Sequence, residues 1–321
     1  LAGAARAALG GGRHLRAVER LAGGTSKGVY RLTMDDATTA IAYLWAESEN
    51  YWPAAAGDND LTDPFSSGGG LDLFEIAHAR LDSLGLRVPE IHLIDRGATH
   101  YPADLAIVED FPGENLMDLS NRDPHSAAPT MARLADALSA MRGHRAPACG
   151  KVALIDRGGT SRWASCEEAA LEFGLRNLIE AGSRDHRIAN AHERLAERLR
   201  ELAAAVGPRA DYSVVHGELG LDHVLVDRVG NPVLIDIEAL LYFDVEWEHV
   251  FLRIRHSDSQ YRRLAVAGLD EDRLALYLLV QRLSLTAGPL RLLDGDFPDR
   301  AFMQGIAEHN LTEALRLASA A

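Results

Sequence analysis

The spacing of apolar positions changes character near residue 110. Ahead of it, apolar residues come in short runs bounded by Gly, Asp and Asn, the pattern of strands joined by turns. His14–Leu21 and Val29–Met34 read as a hairpin around Gly23-Gly24-Thr25-Ser26-Lys27-Gly28, and Thr39–Trp45 as a third strand after the Asp35-Asp36 turn. Val88–Asp95 and Leu105–Asp110 complete a five-stranded antiparallel sheet. Residues 1–16 predict a short helix packing on that sheet. Leu71–Leu84 predicts another, with Leu73, Ile76, Ala77, Arg80 and Leu84 near helical spacing and Gly85 as its stop. Past Gly113 the spacing turns helical. Met131–Arg142, Glu167–Glu180, Ala189–Val206, Arg273–Thr286 and Phe302–Ala318 are the expected helices, with a loop over Gly288–Pro298.

One stretch departs from that helical half. Val215-His216-Gly217-Glu218-Leu219-Gly220-Leu221-Asp222-His223 leads from an apolar run through a tight polar loop into Val224-Leu225-Val226. A turn at Arg228-Val229-Gly230-Asn231-Pro232 returns the chain through Val233-Leu234-Ile235, which ends in Asp236 and Glu238. Strand, loop, strand, turn and strand is the expected order. If the last strand continues past Asp236, alternation puts Glu238 on the same face. Residues 46–70 form a long loop rich in Gly, Asp, Asn, Ser and Pro. Its Tyr51 and Trp52 suit either a flap over a ligand or an anchor for the loop.

The length of 321 residues accommodates two lobes with a substantial core. A composition 47% hydrophobic and 25% charged is that of a soluble globular chain, and no apolar run approaches a membrane span. The start, Leu1–Gly12, lacks the basic flank and apolar core of a signal peptide. Cys149 and Cys166 are the two cysteines, without CxxC spacing. They point to reduced thiols in a cytoplasmic protein, a disulfide being the open alternative. The net charge of -14 argues against a nucleic-acid groove and suits a cationic small substrate, although acidity also serves solubility. The oligomeric state is not legible.

A glycine-rich turn between two strands can drape backbone N–H groups over phosphates. In kinase-like folds the third strand carries an ATP-binding lysine. Here that strand reads Ala40-Ile41-Ala42-Tyr43-Leu44-Trp45, and the chain's two lysines are Lys27, in the glycine-rich turn, and Lys151. Lys27 can reach a phosphate as a point charge, or be an ordinary turn lysine.

Taken together, the glycine turn, the Val108-Glu109-Asp110-Phe111-Pro112-Gly113 segment, the His216 loop, Ile235-Asp236-Ile237-Glu238 and Phe243-Asp244-Val245-Glu246-Trp247-Glu248 resemble the aminoglycoside phosphotransferase family of the protein-kinase-like superfamily. The resemblance covers nearly the whole chain. It implies an α+β, bilobal protein-kinase-like fold, with an antiparallel five-stranded N-lobe over residues 1–110 and a mainly helical C-lobe over 111–321 holding the catalytic loop and acceptor site. It implies ATP-dependent phosphoryl transfer to a hydroxyl of a small molecule. An antibiotic such as an aminoglycoside, a sugar, a choline-like alcohol or an amino alcohol is the acceptor class; GTP is the alternative to ATP and Mn²⁺ the alternative to Mg²⁺. By position, Glu218 stands where the family has its Asp base, and His223 where it has a metal-binding Asn. Asp236 is the main metal ligand, with Glu238 and His223 auxiliary. Gly23, Gly24, Thr25, Ser26 and Lys27 would hold phosphate, and backbone groups at Glu109 and Phe111 an adenine edge. Glu75, on the helix that offers a carboxylate to the strand lysine in kinases, is left to pair with Lys27 or an arginine, or to lie at the surface. His216 is expected to be buried and structural. Asp244, Glu246 and Glu248 either steady the loop or add negative potential for a cationic acceptor. The departures at Tyr43, Glu218 and His223 support a second reading, a kinase-like protein that binds nucleotide or ligand without transfer. AMP transfer or hydrolysis is a third.

Overall fold

The computed structural model describes residues 1–22, 24–53, 60–66 and 69–319. In chain order the first elements are α1 (Ala2–Leu9), β1 (Leu15–Arg20), β2 (Gly28–Met34), β3 (Thr39–Trp45), α2 (Leu71–Ser83), β4 (Ile91–Asp95) and β5 (Asp104–Glu109). Next come α3 (Leu116–Arg122), α4 (Pro124–Gly143), β6 (Arg145–Ala146), β7 (Gly150–Lys151), α5 (Val152–Ile155), α6 (Cys166–Arg184), α7 (His186–Asn190) and α8 (His192–Ala205). The remainder is β8 (Tyr212–Val215), β9 (Val224–Val226), β10 (Pro232–Leu234), β11 (Leu241–Phe243), α9 (Val245–Arg255), α10 (Asp258–Tyr261), α11 (Glu271–Leu292) and α12 (Arg300–Leu317). The chain divides into two compact units, one of residues 1–52, 68–134 and 221–238 and the other of 53–67, 135–220 and 239–321.

The first unit is built on the expected five-stranded antiparallel sheet, in the order β1-β2-β3-β5-β4. The central strand β3 is apolar on both faces and is buried almost throughout. Ala40, Ala42 and Leu44 join Leu32, Met34, Leu105 and Ile107 beneath Ala4 and Ala5 of α1. Alternation turns Tyr43 and Trp45 to the opposite face, where they meet Phe74 of α2 edge-on or tilted at 5.6 and 5.7 Å. The hairpin β9–β10 belongs to this unit, with α3 packed beside β9.

The second unit is mainly helical. The long α11 packs against α6, α8, α9 and α12. It runs through Gly288 and Pro289 to Leu292, where the sequence suggested a loop. Pro289 and Leu292 are both buried, so packing carries the helix on past a residue that cannot continue its hydrogen bonding. A small sheet, β6-β8-β11-β7, lies in this unit. Its strands are two to four residues long, too short for a periodicity to register in the sequence. Among the described residues no helix is long and apolar enough to cross a membrane.

Candidate active site

In the first unit, Lys27 sits at the end of the glycine-rich turn, one residue before β2, and is 6% exposed. Its Nζ donates to Asp236 Oδ1 at 2.8 Å and to Glu238 Oε1 at 2.5 Å, and stands 5.3 Å from the ring centroid of Tyr43. Burial pulls the ammonium pKa down, but Asp236 and Glu238 outweigh it and hold the group well above the ordinary lysine value. Burial likewise pushes the Tyr43 hydroxyl up, keeping it neutral.

Asp236 and Glu238 converge by a different route from strand alternation. β10 ends at Leu234, Asp236 takes φ +58°, and Ile237–Ala239 is a 3₁₀ turn. The left-handed residue breaks the strand, and the turn that follows carries Glu238 round to the same ammonium. His223 closes the 3₁₀ turn Leu221–His223, and its carbonyl accepts the N–H of Ile235. Its Nε2 lies 3.7 Å from Asp236 Oδ2 and 3.8 Å from Asp222 Oδ2.

The donor set suits a hard divalent cation. Two carboxylates already share one cation, the Lys27 ammonium, so their oxygens face a common point. Among the described residues no group of three or more His, Cys, Asp or Glu is arranged to hold a metal. Mg²⁺ is commonly held by one or two carboxylates together with substrate phosphates, so a two-carboxylate site fits it.

The glycine-rich turn is tightly built. A Cβ on Gly24 would come 2.4 Å from the Lys27 carbonyl, so no larger residue fits there. Thr25 is held from outside: its carbonyl accepts the Tyr51 N–H at 2.9 Å and its Oγ1 accepts Trp52 Nε1 at 3.1 Å. Tyr51 and Trp52 therefore anchor their loop on this turn. Ser26 is half-buried, and Gly23 lies outside the described residues. At the end of β5 the Glu109 N–H donates to the Glu90 carbonyl at 2.9 Å, so that N–H is already engaged; the Phe111 ring packs against the Arg87 guanidinium at 5.4 Å. Glu75 of α2 pairs with Arg96, which also binds Asp72.

In the second unit, Glu218 is exposed, and the backbone around it is pinned from below. Glu248, on α9 and 3% exposed, accepts the N–H groups of His216 at 2.5 Å, Gly217 at 3.4 Å and Leu219 at 3.3 Å. Burial pushes its carboxyl up to about 7, against the pull of the three donors. Gly217 has φ +92°, and a Cβ there would lie 2.8 Å from the Ala239 carbonyl. Trp247 Nε1 donates to the Gly217 carbonyl at 3.2 Å. His216 is fully buried, as expected. Lys151 is 3% exposed and donates to the Ser66 carbonyl at 3.0 Å; burial lowers its pKa to about 8, with Asp63 and Glu218 as the opposing charges.

The model of the phosphotransferase enzyme family (APH) matches residues 17–281. The chain belongs to this family. Solved structures agree on its kinase-like fold. A thermostable mutant of aminoglycoside phosphotransferase APH(4)-Ia, in a ternary complex with ADP and hygromycin B, superposes with TM-score 0.60 at 16% identity over 96% of each chain. The choline kinase LicA from Streptococcus pneumoniae gives TM-score 0.61 at 13% identity, over 96% of this chain and 94% of its own. The GDP and kanamycin complex of APH(2″)-IIia gives 0.60 at 17% identity, over 95% and 94%. Among curated proteins none matches the sequence.

Within this phosphotransferase fold, the structure brings together Lys27, Asp236, Glu238 and His223 from the sequence-derived set. Two features were not legible. The seat of the Lys27 ammonium over Tyr43 depends on β2–β3 register, and Arg96 as the partner of Glu75 on β4 geometry. The closure of Glu248 over three N–H groups, where α9 meets β8, is the loop-steadying alternative that the resemblance implied. The option that Asp244, Glu246 and Glu248 supply free negative potential is not borne out. All three are buried, and Asp244 and Glu246 are paired with Arg209 and Arg273.

Proposed function

We propose that the protein transfers the γ-phosphoryl group of a nucleoside triphosphate to a hydroxyl of a small molecule, ATP being the first choice and GTP the second. The observation that carries this reading is the convergence of Asp236 and Glu238 on one cation beside the glycine-rich turn. Glu218 accepts the proton of the attacking hydroxyl. The acceptor's O–H bond breaks, its oxygen bonds phosphorus, and the bond to the departing nucleoside diphosphate breaks. When bound, Mg²⁺ (Mn²⁺ as the substitute) neutralises charge on the phosphate oxygens, and Asp236 and Glu238 would hold it with His223 beside Asp236. Backbone groups of Gly24, Thr25 and Ser26 receive phosphate, and the Glu109–Phe111 segment receives the base. Positioning is most of this chemistry, and the anchoring of the Glu218 loop by Glu248 supplies it at the base.

A cationic acceptor, an aminoglycoside among them, suits the net charge of -14. It also suits the fold relatives in complex with hygromycin B and kanamycin. A cytoplasmic setting, where nucleoside triphosphates are supplied, fits the same reading. The lysine seated on both metal-type carboxylates favours a second reading, a kinase-like binding protein without transfer.

Calorimetric titration with ATP and GTP, each with Mg²⁺, Mn²⁺ or EDTA, tests the first reading. Metal-dependent binding is expected, and no binding at millimolar nucleotide would overturn it. The winning pair is then used to screen hydroxyl acceptors. Glu218→Gln should leave nucleotide affinity within about twofold while turnover falls by about 10²–10⁴. Equal turnover in the variant removes Glu218 as base.

A further inference from the structure

Two halves of a familiar pairing are both re-partnered in this chain. In the protein-kinase template a lysine on the third strand grips the nucleotide phosphates and is held by a helix glutamate. The third strand here presents Tyr43, and the helix glutamate, Glu75, is taken by Arg96. Neither change leaves a gap. In the β2–β3 register Val29 faces Tyr43 and Gly28 faces Leu44, so Lys27 enters beside the strand that lacks the cation. Its ammonium stands over the Tyr43 ring at 5.3 Å, and Asp236 and Glu238 hold it.

We infer that Lys27 is this phosphotransferase's phosphate-gripping cation, supplied from the glycine-rich turn in place of a third-strand lysine, with the Tyr43 face and the Asp236–Glu238 pair as its seat. The inference rests on the phosphotransferase reading. Three features separate this lysine from an ordinary turn residue. It is 6% exposed, whereas a solvated turn lysine keeps its head in water. It is the only lysine in the first unit. Its two carboxylate partners are those proposed for the metal, so cation and metal share one set of anchors. The aromatic face adds a cation–π contact that a neutral residue at 27 would forfeit. Two of the three ammonium N–H donors are engaged by Asp236 and Glu238, which leaves one for a phosphate oxygen.

The test moves the cation back to the strand. Wild type, Lys27→Ala, Tyr43→Lys and the double variant Lys27→Ala/Tyr43→Lys are titrated calorimetrically with ATP and with ADP, each with Mg²⁺. Lys27→Ala is expected to weaken ATP binding about ten- to a hundredfold, the worth of a hydrogen bond to a charged group. The double variant is expected to recover to within about threefold of wild type, since an ammonium again stands at the Tyr43 position. Lys27→Ala affinity within twofold of wild type overturns the assignment. So does a loss in Lys27→Ala that the double variant fails to restore, because the role would then be structural. If Lys27→Ala does not fold, Lys27→Met, which keeps the apolar stem, and Tyr43→Lys on that background are read instead. Wild type that binds neither nucleotide overturns the phosphotransferase reading and this inference together. Wild type that binds while Lys27→Ala is unaffected overturns only this one.

Discussion

Each unit holds a cluster of carboxylates around a buried cation, and the two clusters are built to opposite ends. In the second unit Asp244 accepts from Arg209 at 2.9 Å, Arg273 at 3.0 Å and the Tyr277 hydroxyl at 2.5 Å, while Glu246 accepts from Arg209 and from the Asp270 N–H. Asp244, Glu246 and Arg273 are each 1% exposed. Their cations are guanidiniums, planar forks with fixed donor geometry that match a carboxylate and do not readily exchange. In the first unit the cation is an ammonium, a point charge, and the Asp236 side chain remains 44% exposed. A buried cluster in which guanidiniums clasp the carboxylates holds a fold together. A cluster with one exposed carboxylate and a compact cation can trade partners. Charge alone does not distinguish the two clusters; the geometry of the cation and the exposure of one member do.

The comparison is sharpest at the cations themselves. Arg273→Met leaves Asp244 buried without one of its charged partners and is expected to cost about 3–5 kcal/mol of stability in denaturant unfolding. Lys27→Met should cost about 1 kcal/mol, because water reaches Asp236. Equal losses in the two variants would break the distinction.

Glu248 extends the comparison to pH. Its folded pKa is raised from the ordinary 4.5 to about 7. A carboxyl that binds its proton more tightly when folded contributes stability that is full below 4.5 and is lost as pH rises through 7. The total is roughly 3 kcal/mol across that window. Unfolding free energies from pH 4 to 8 should therefore fall more steeply in wild type than in Glu248→Gln. Parallel curves would show that Glu248 does not titrate there.

A local effect is expected at Gly217. Its φ of +92° and a Cβ only 2.8 Å from the Ala239 carbonyl make Gly217→Ala destabilising by about 1–3 kcal/mol, measured by thermal unfolding. An unchanged midpoint would mean that the turn relaxes freely.

What the sequence conveyed divides along physical lines. The antiparallel sheet was legible because its strands, five to seven residues long, are short apolar runs set off by turn residues, as Thr39–Trp45 is by the Asp35-Asp36 turn ahead of it. The long helices were legible in existence, with ends that shifted as packing decided, most plainly at Pro289. Asp236, Glu238 and Lys27 were legible as residue types in a spacing. Their meeting was not, because it depends on one left-handed residue that redirects the chain and on an approach across more than 200 positions. That the acidic segment steadies the loop was one of two readings the resemblance implied. Which carboxylate does it, and through which N–H groups, was decided by the fold, where Glu248 meets the donors of His216, Gly217 and Leu219.

The left-handed backbone of Asp236 has a consequence for engineering. At φ +58° a glycine would sit without steric cost, so this position carries a standing penalty on the order of 1 kcal/mol for keeping a side chain. A programme that improves thermal tolerance by relieving uncomfortable dihedrals would select glycine there early. It would relieve the backbone while deleting both a partner of the buried Lys27 ammonium and the carboxylate on which the candidate site turns. Backbone comfort and the proposed chemistry are set against each other at a single residue.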